Sequence, residues 1–583
     1  MSGTRRARPI TLSAIALVTM LLAACAPGAP SRTEPASAPG SAPGSAPAPT
    51  VRKTFTLTMQ DEPVAFIRNL HTNIQGDIGR EAQYIFHNSL FVELEYETYH
   101  PQLAAELPSF ENGTWRLNPD GTMDTVWKLR PGVKWHDGVP FTSADLMFTY
   151  ELNKDIELTP LTSATTRMAS ASAPDDLTFI VHWSAPYAVA DRDTLPEIAP
   201  QHLLEAPYRA NKATFLGDSH FTDDFIGLGP YRLTTWAHGA YIEATRFDDY
   251  YQGRPKLDSL VIRFARDPNA AIASILSGGV DMVSSSSSAG IDLDAALEVQ
   301  RRWEGTGNQV IANQTGRVFV AEPQFRPEFT RPANGVSNLA VRQALYHAVD
   351  RKTLSEVMTH SLSPTADSYF LPFDPLRPQM ESFIPQYPFD PARARQLMAD
   401  AGWTPGPDGV LVNGASGARF DLEIRGRQGA GNDKTISIIA DGWKATGVAA
   451  VELIEPTALL ADRSYESTRS GFLIVGPSGS AFYEGVAKEH TRSIPTAENG
   501  WRGSNYGAYS NPHLDELIDR LQEAIDPRDR LPLHQQLVYE HMANVVTLPL
   551  YWQVVPELLL KGVSGPRTSQ KRTTTNIFEW DKA

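Results

Sequence analysis

Several stretches carry residue types able to do chemistry. GPSGS (476–480) comes near the nucleophile elbow Gly-x-Ser-x-Gly, but its last glycine is missing and no His/Asp pair accompanies it at a fixed spacing. GRQGAG (426–431) has its glycines in the wrong order for a dinucleotide fingerprint, which needs them where a strand turns into a helix. His534 and His541 lie seven residues apart on an expected helix and so share a face. Two histidines alone read as surface or packing residues, and no metal ligand is assigned. What remains is binding chemistry. Ser478 and Ser480 offer hydroxyls flanked by Phe482 and Tyr483, with Glu484 next. Downstream, NGWRGSNYGAY (499–509) supplies Trp501, Arg502, Asn505 and Tyr506. Aromatic faces beside hydroxyls and amides suit a neutral polar ligand, and an arginine suits a carboxylate. Trp501 and Tyr506 read equally well as core or rim aromatics. The residues predict a binding protein with no cofactor, not an enzyme.

The only cysteine of the 583 residues, Cys25, excludes an internal disulfide and a Cys-based zinc site. It ends an uncharged run, Ile10 to Ala24, preceded by Arg5, Arg6 and Arg8. That run is shorter than the roughly 20 apolar residues needed to cross a bilayer, and its basic flank fits a secretory signal. Leu22-Ala23-Ala24-Cys25 resembles the bacterial lipobox, which implies lipidation of Cys25 after removal of residues 1–24. Residues 25–50, almost all Ala, Pro, Gly and Ser, read as an extended tether that buries nothing. A soluble secreted protein and a short anchor helix are the alternatives. The formal net charge of -15 excludes nucleic acid as a partner, because such binding needs clustered cations.

Short strand-like runs alternate with amphipathic helices from residue 51 onward, the pattern of an α/β protein. TFTLTMQ (54–60) alternates as a half-buried strand does. TSADLMFTYEL carries a capping box, Thr142 with Asp145, and DPARARQLMADAGW sets Asp390 at an N-cap, Pro391 at N1 and Gly402 past the end. NPHLDELIDRLQEAI aligns Leu514, Leu517, Ile518, Leu521 and Ile525 on one helical face.

Three longer stretches are more specific: LNPDGTMDTVWKLRPGVKWHDGVPFTSADLMFTYE (117–151), GLGPYRLTTWAHGAYIEATRFDDYYQGRPKLDSLVIRFARDPNAAIASILSGGVDM (227–282) and SNLAVRQALYHAVDRKTL (337–354). In type, order and spacing they resemble the family 5 solute-binding proteins of ABC importers, which bind oligopeptides, dipeptides or nickel. The resemblance covers nearly all of 51–565. Most of the matched residues, His136-Asp137 among them, are turns, caps and packing positions. The resemblance implies a two-lobed periplasmic-binding-protein fold with an extra subdomain. Lobe I would hold 51–95, 223–313 and 551–583, the subdomain 96–222, and lobe II 314–550. It also implies a small solute or peptide ligand, an ABC permease and ATPase complex as partner, and a monomer lipid-anchored to the outer face of the cell membrane.

Peptide-binding members carry an acid for the ligand's amine within Gly-Trp-x-x-Asp. Here Gly476 fits, Pro477 stands in place of the tryptophan and Ser480 near the place of the aspartate, leaving Glu484 to take that role. An ammonium enclosed without a counter-charge is expensive, so this departure counts against peptides. Peptides stay slightly ahead of a neutral polar cargo such as an oligosaccharide or glycoside. Nickel held as a chelate stays open, since some relatives bind it with few protein ligands. An orphan envelope lipoprotein with no transporter is the remaining alternative.

Overall fold

A computed structural model describes residues 52–67, 70, 78–95, 98–158, 162–195, 197–284, 291–429, 431–456, 459, 462–478, 482–567 and 572–583. The signal sequence, Cys25 and the tether lie outside them.

Ten strands form one sheet. In chain order they are β1 (Thr54–Met59), β2 (Tyr231–Ala237), β3 (Tyr241–Arg246), β4 (Ser259–Phe264) and β5 (Met282–Val283). The others are β6 (Gln309–Pro323), β7 (Asp421–Arg427), β8 (Ala449–Glu455), β9 (Phe472–Ser478) and β10 (Leu548–Leu559). Across the sheet they run β8-β7-β9-β6-β10-β5-β1-β4-β3-β2. Parallel pairing holds within β8-β7-β9 and within β5-β1-β4. The two parallel groups are joined by β6 and β10, which pair antiparallel from Gln309↔Leu559 to Ala321↔Leu548.

Length explains that joining role. β6 has 15 residues and β10 has 12, so at about 3.3 Å per residue they reach roughly twice as far as an average strand. One core takes residues from Val318 to Trp552, with Trp403 and Trp443 among the fully buried. A second runs from Phe55 to Trp580. The register slips between Gln314 and Val318, where Gly316 has φ +70°, a bulge that twists the pair between the cores. Thr315 Oγ1 donates to Gln553 Oε1 there at 2.8 Å. The protein is therefore a two-lobed α/β fold.

A third core, with Trp127, Trp135 and Trp183, fills a four-stranded sheet made of Trp115–Leu117, Met123–Lys128, Thr178–Trp183 and Met168–Asp175. The capping box forms as expected: Ala144 N donates to Thr142 Oγ1 and Thr142 N to Asp145 Oδ2. Asp145 also accepts from Trp135 Nε1 and Gln201 N, tying three elements together. His136 is scaffold, accepting from Gly227 N at Nδ1 and donating from Nε2 to Gly229 O. Both glycines are required, because a Cβ at either would fall on the backbone of Phe86. The helix Pro512–Glu523 buries Leu514, Leu517, Ile518 and Leu521. Ile525 departs from the expected face: the helix ends before it, and it packs on the third core instead.

Polar contacts also cross between these bodies. Ala188 N donates to Gln522 O at 2.7 Å. Asp294 takes His360 at 2.5 Å and Lys434 at 2.6 Å.

Burial makes stability depend on pH in a definite way. Desolvation lowers His87, His534 and His541 to about 3 and His136 to about 4. It raises Glu557, beside Glu81 on β10, to about 8. From pH 4.5 to 6.5 the unfolded chain binds protons on these histidines that the folded protein refuses, so stability rises with pH. From pH 6.5 to 8 the folded protein keeps a proton on Glu557 that the unfolded chain has lost, so stability falls. Thermal scans across pH 4.5–8 should give a Tm maximum near pH 6.5, and Glu557→Gln should steepen the rise on the acid side and flatten the fall on the alkaline side.

Candidate functional site

In an open α/β sheet the crevice outside the carboxyl ends of parallel strands is where loops converge on a ligand. In the β8-β7-β9 group those ends are Arg427, Glu455 and Ser478. Arg425 and Arg427 share a face of β7, being two residues apart. Arg425 is covered, bonded to Glu423 at 2.5 Å and Glu455 at 3.3 Å, with its guanidinium 5.0 Å over the Tyr465 ring. Arg427, one step nearer the edge, is 43% exposed in its side chain. It grips Glu466 with Nε and Nη2 at 2.6 and 2.8 Å, the fork geometry that holds a guanidinium in one orientation. Asn432 Nδ2, at the start of the helix Asn432–Lys444, donates to Arg427 O at 2.9 Å. Glu455 is fully buried, and burial with Glu466 close by pushes its carboxyl above the usual range.

The segment 494–509 docks against the residues just past β6, Phe325 N donating to Gly507 O at 2.8 Å, and is pinned from two directions. Arg326, just beyond β6, donates from Nη1 to Ser467 O (2.7 Å) and Tyr506 O (3.1 Å), and from Nη2 to Pro495 O (2.5 Å). Asn505 is fully buried, its amide donating to Glu489 O and Tyr509 O and accepting from Tyr509 N. Expected as a ligand contact, Asn505 instead braces the loop, because its amide is committed to backbone. Trp501 is half-buried at φ +58°. Arg502 is exposed, and Tyr506 is half-buried within electrostatic reach of Arg427 and Glu466.

Ser478 ends β9 opposite Val318, at the crossing of β6. Phe482, Tyr483 and Glu484 begin the helix Phe482–Ala487. The side chains of these four, and all of Ser480, lie outside the described residues. The glycines around them do have a visible reason. A Cβ on Gly476 would enter the ring of Phe319, which stacks on Tyr551 at 4.7 Å; one on Gly485 would enter the ring of Tyr369.

Beneath this stretch lies a charged cluster that the sequence reading missed. Lys488 Nζ meets Glu322 at 2.6 Å and Glu489 at 3.6 Å. Arg469, fully buried, lies 3.8 Å from Glu322 and donates to Glu322 O and Glu466 O. Burial and the Glu322 charge raise Glu489 well above its ordinary value, while Lys488 opposes the rise. Lys488 and Arg469 are each more than 140 residues from Glu322 in sequence, and the only local signal was that acid, inside an otherwise apolar stretch of strand. His534 and His541 are packing residues, edge-on to Phe370 and Tyr369. Among the described residues no group of three or more His, Cys, Asp or Glu is placed to hold a metal ion.

Residues 98–489 match the family described as bacterial extracellular solute-binding proteins, family 5, middle region. A putative ABC transporter peptide-binding protein of Brucella ovis is 30% identical over 297 residues, which is 50% of this chain and 51% of that protein. The match thus spans about half the length of that relative. Oligopeptide-binding protein AppA of Bacillus subtilis is 23% identical over 473 residues, 79% of this chain and 81% of AppA. The crystal structure of an oligopeptide-binding protein from Thermus thermophilus with a pentapeptide aligns with a TM-score of 0.73 at 21% identity. That alignment covers 90% of this chain and 96% of the other, and at this identity it is a likeness of fold.

If Arg326 is what holds the 494–509 segment, Arg326→Ala should let limited proteolysis cut there about tenfold faster, because local opening sets the cleavage rate. Cutting elsewhere should change little, as read by mass spectrometry of the fragments.

Proposed function

Because the chain belongs to family 5 of the bacterial extracellular solute-binding proteins, we propose that it captures a peptide between its two lobes and hands it to an ABC permease and its ATPase. The reading rests on one observation above the others: among the described strands, only the paired β6 and β10 run from one large core to the other, and the polar edge of β7, β8 and β9 opens beside that crossing. Two bodies on a narrow connection can close, and a ligand touching both favours the closed state by its differential contacts. The work is capture and release, with no bond made or broken. The names of the Brucella and Bacillus relatives favour peptides as cargo. Glu484, reached by a shift of the loop past Ser480, which stands near the place where peptide binders of the family carry an aspartate, is the residue we assign to the ligand's amine.

No helix among the described residues is long and apolar enough to cross a membrane. We assign anchoring to a lipid on Cys25, with residues 26–50 as slack, so that the folded monomer works outside the cytoplasm. Cys25→Ala should move the protein from the membrane fraction to the soluble one without changing its Tm.

Native mass spectrometry of the full-length protein, taken from its own host in mild detergent and never refolded, tests the cargo. A series of peptide masses is expected, lost in Glu484→Gln. A single non-peptide mass would replace peptides with another solute, and an empty protein would count against import.

A further inference from the structure

Ile525 packs in the wrong core for its place in the chain. Every other residue of the third core, among those described, lies between Leu90 and Tyr251. The helix Pro512–Glu523 belongs elsewhere: Leu514, Leu517, Ile518 and Leu521 pack in the core that holds Trp403 and Trp443. Two residues make the crossing. Ala524 ends the helix in extended backbone, at φ -72° and ψ 107°, and successive side chains of an extended chain point opposite ways. Ala524 therefore packs on the Trp403 core and Ile525 on the third. The chain then turns back at once, with Asp526 accepting from Arg528 N to cap the helix Pro527–Ala543. Arg530, on that second helix, donates to Leu521 O at 3.2 Å and Ala524 O at 3.0 Å, so the corner is braced from within. From the third body, Ala188 N donates to Gln522 O at 2.7 Å.

The receiving surface is tied to the second core. His87 stacks on Trp135 of the third core at 5.9 Å and meets Phe225 of the second edge-on at 5.8 Å. Gly229 N also donates to Phe86 O at 3.0 Å. The second and third cores thus form one side of the fold, and the corner at 524–526 joins the Trp403 core to it without using β6 or β10. We propose that this corner is a latch: Ile525, seated in the third core, holds the two sides together and must be withdrawn before a captured solute can leave. The proposal rests on reading the protein as one that captures a solute by closing, and adds what sets the lifetime of the closed state. Asp294 also reaches across, but it meets His360 and Lys434 with all three side chains 40% to 49% exposed. Ion pairs that open to water contribute little. The aliphatic contact does not depend on salt or on any group of the solute, so the latch acts alike on every cargo.

Hydrogen exchange on the full-length protein, stripped of ligand and held in mild detergent, reads the latch directly, because Gln522 O protects the Ala188 amide. Ile525→Ser removes the apolar contact from a half-buried position, and Ile525→Leu keeps it. In Ile525→Ser the Ala188 amide should exchange about tenfold faster. The strand Thr178–Trp183 and the helix Pro512–Glu523 should exchange as before, and Ile525→Leu should match the intact protein. Unchanged exchange at Ala188 overturns the proposal. So does faster exchange in that strand or helix, which would make Ile525 ordinary packing. A second readout is the release of a mixed pentapeptide library, whose rate should rise about tenfold in Ile525→Ser and stay near the intact value in Ile525→Leu. An unchanged release rate in Ile525→Ser overturns the latch. If no pentapeptide binds even the intact protein, the peptide reading fails, while exchange at Ala188 still decides the latch.

Discussion

The antiparallel pairing of β6 with β10 is the constraint from which the rest follows. Each strand must be long enough to leave one core and enter the other. β10, covered by neighbours along its length, shows this in LPLYWQVVPELL, in which only one residue is not buried. β6 is partly open to solvent in its first half and buried from Val318 to Pro323, where it enters the core that holds Trp403 and Trp443. Every other strand of the sheet belongs to one side or the other. Among the described strands the two parallel groups therefore pair only through these two, and the slip near Gly316 sets the twist between them.

Placing an edge of parallel strands beside such a connection decides where polar chemistry can gather. Strand ends expose backbone groups and loops that helices cannot satisfy alone, so charged side chains collect there. On the β8-β7-β9 side they form nested pairs: Lys488 with Glu322, Arg425 with Glu423 and Glu455, Arg427 with Glu466. Burying such pairs contributes little to net stability, since desolvation offsets most of the attraction. What they do supply is orientation. Arg326, Asn505 and Glu466 each hold a neighbour in one place, so this polar edge is ordered by the protein's own contacts.

The local grammar was readable. Thr142 with Asp145 and Asp390 with Pro391 were visible as caps because capping involves residues within one turn of each other. The failure at Ile525 has the opposite cause. Periodicity continued past Glu523, but the helix stopped, and the side chain found another core. Asn505 shows the same limit at the site. Its type suited a ligand contact, yet burial against Glu489, His490 and Tyr509 took its amide for the backbone.

Sequence by itself determined the α/β class, the family, and the loop that carries Trp501, Arg502 and Tyr506, because turns, caps and hydrophobic periods are written within a few residues of one another. Tertiary structure alone decided which charges meet. Glu322 and Lys488 are separated by 166 residues and lie 2.6 Å apart. No local pattern encodes that distance. It exists only once β6 and β9 are paired and the helix after β9 folds back over them, bringing two buried charges together that could not be buried apart.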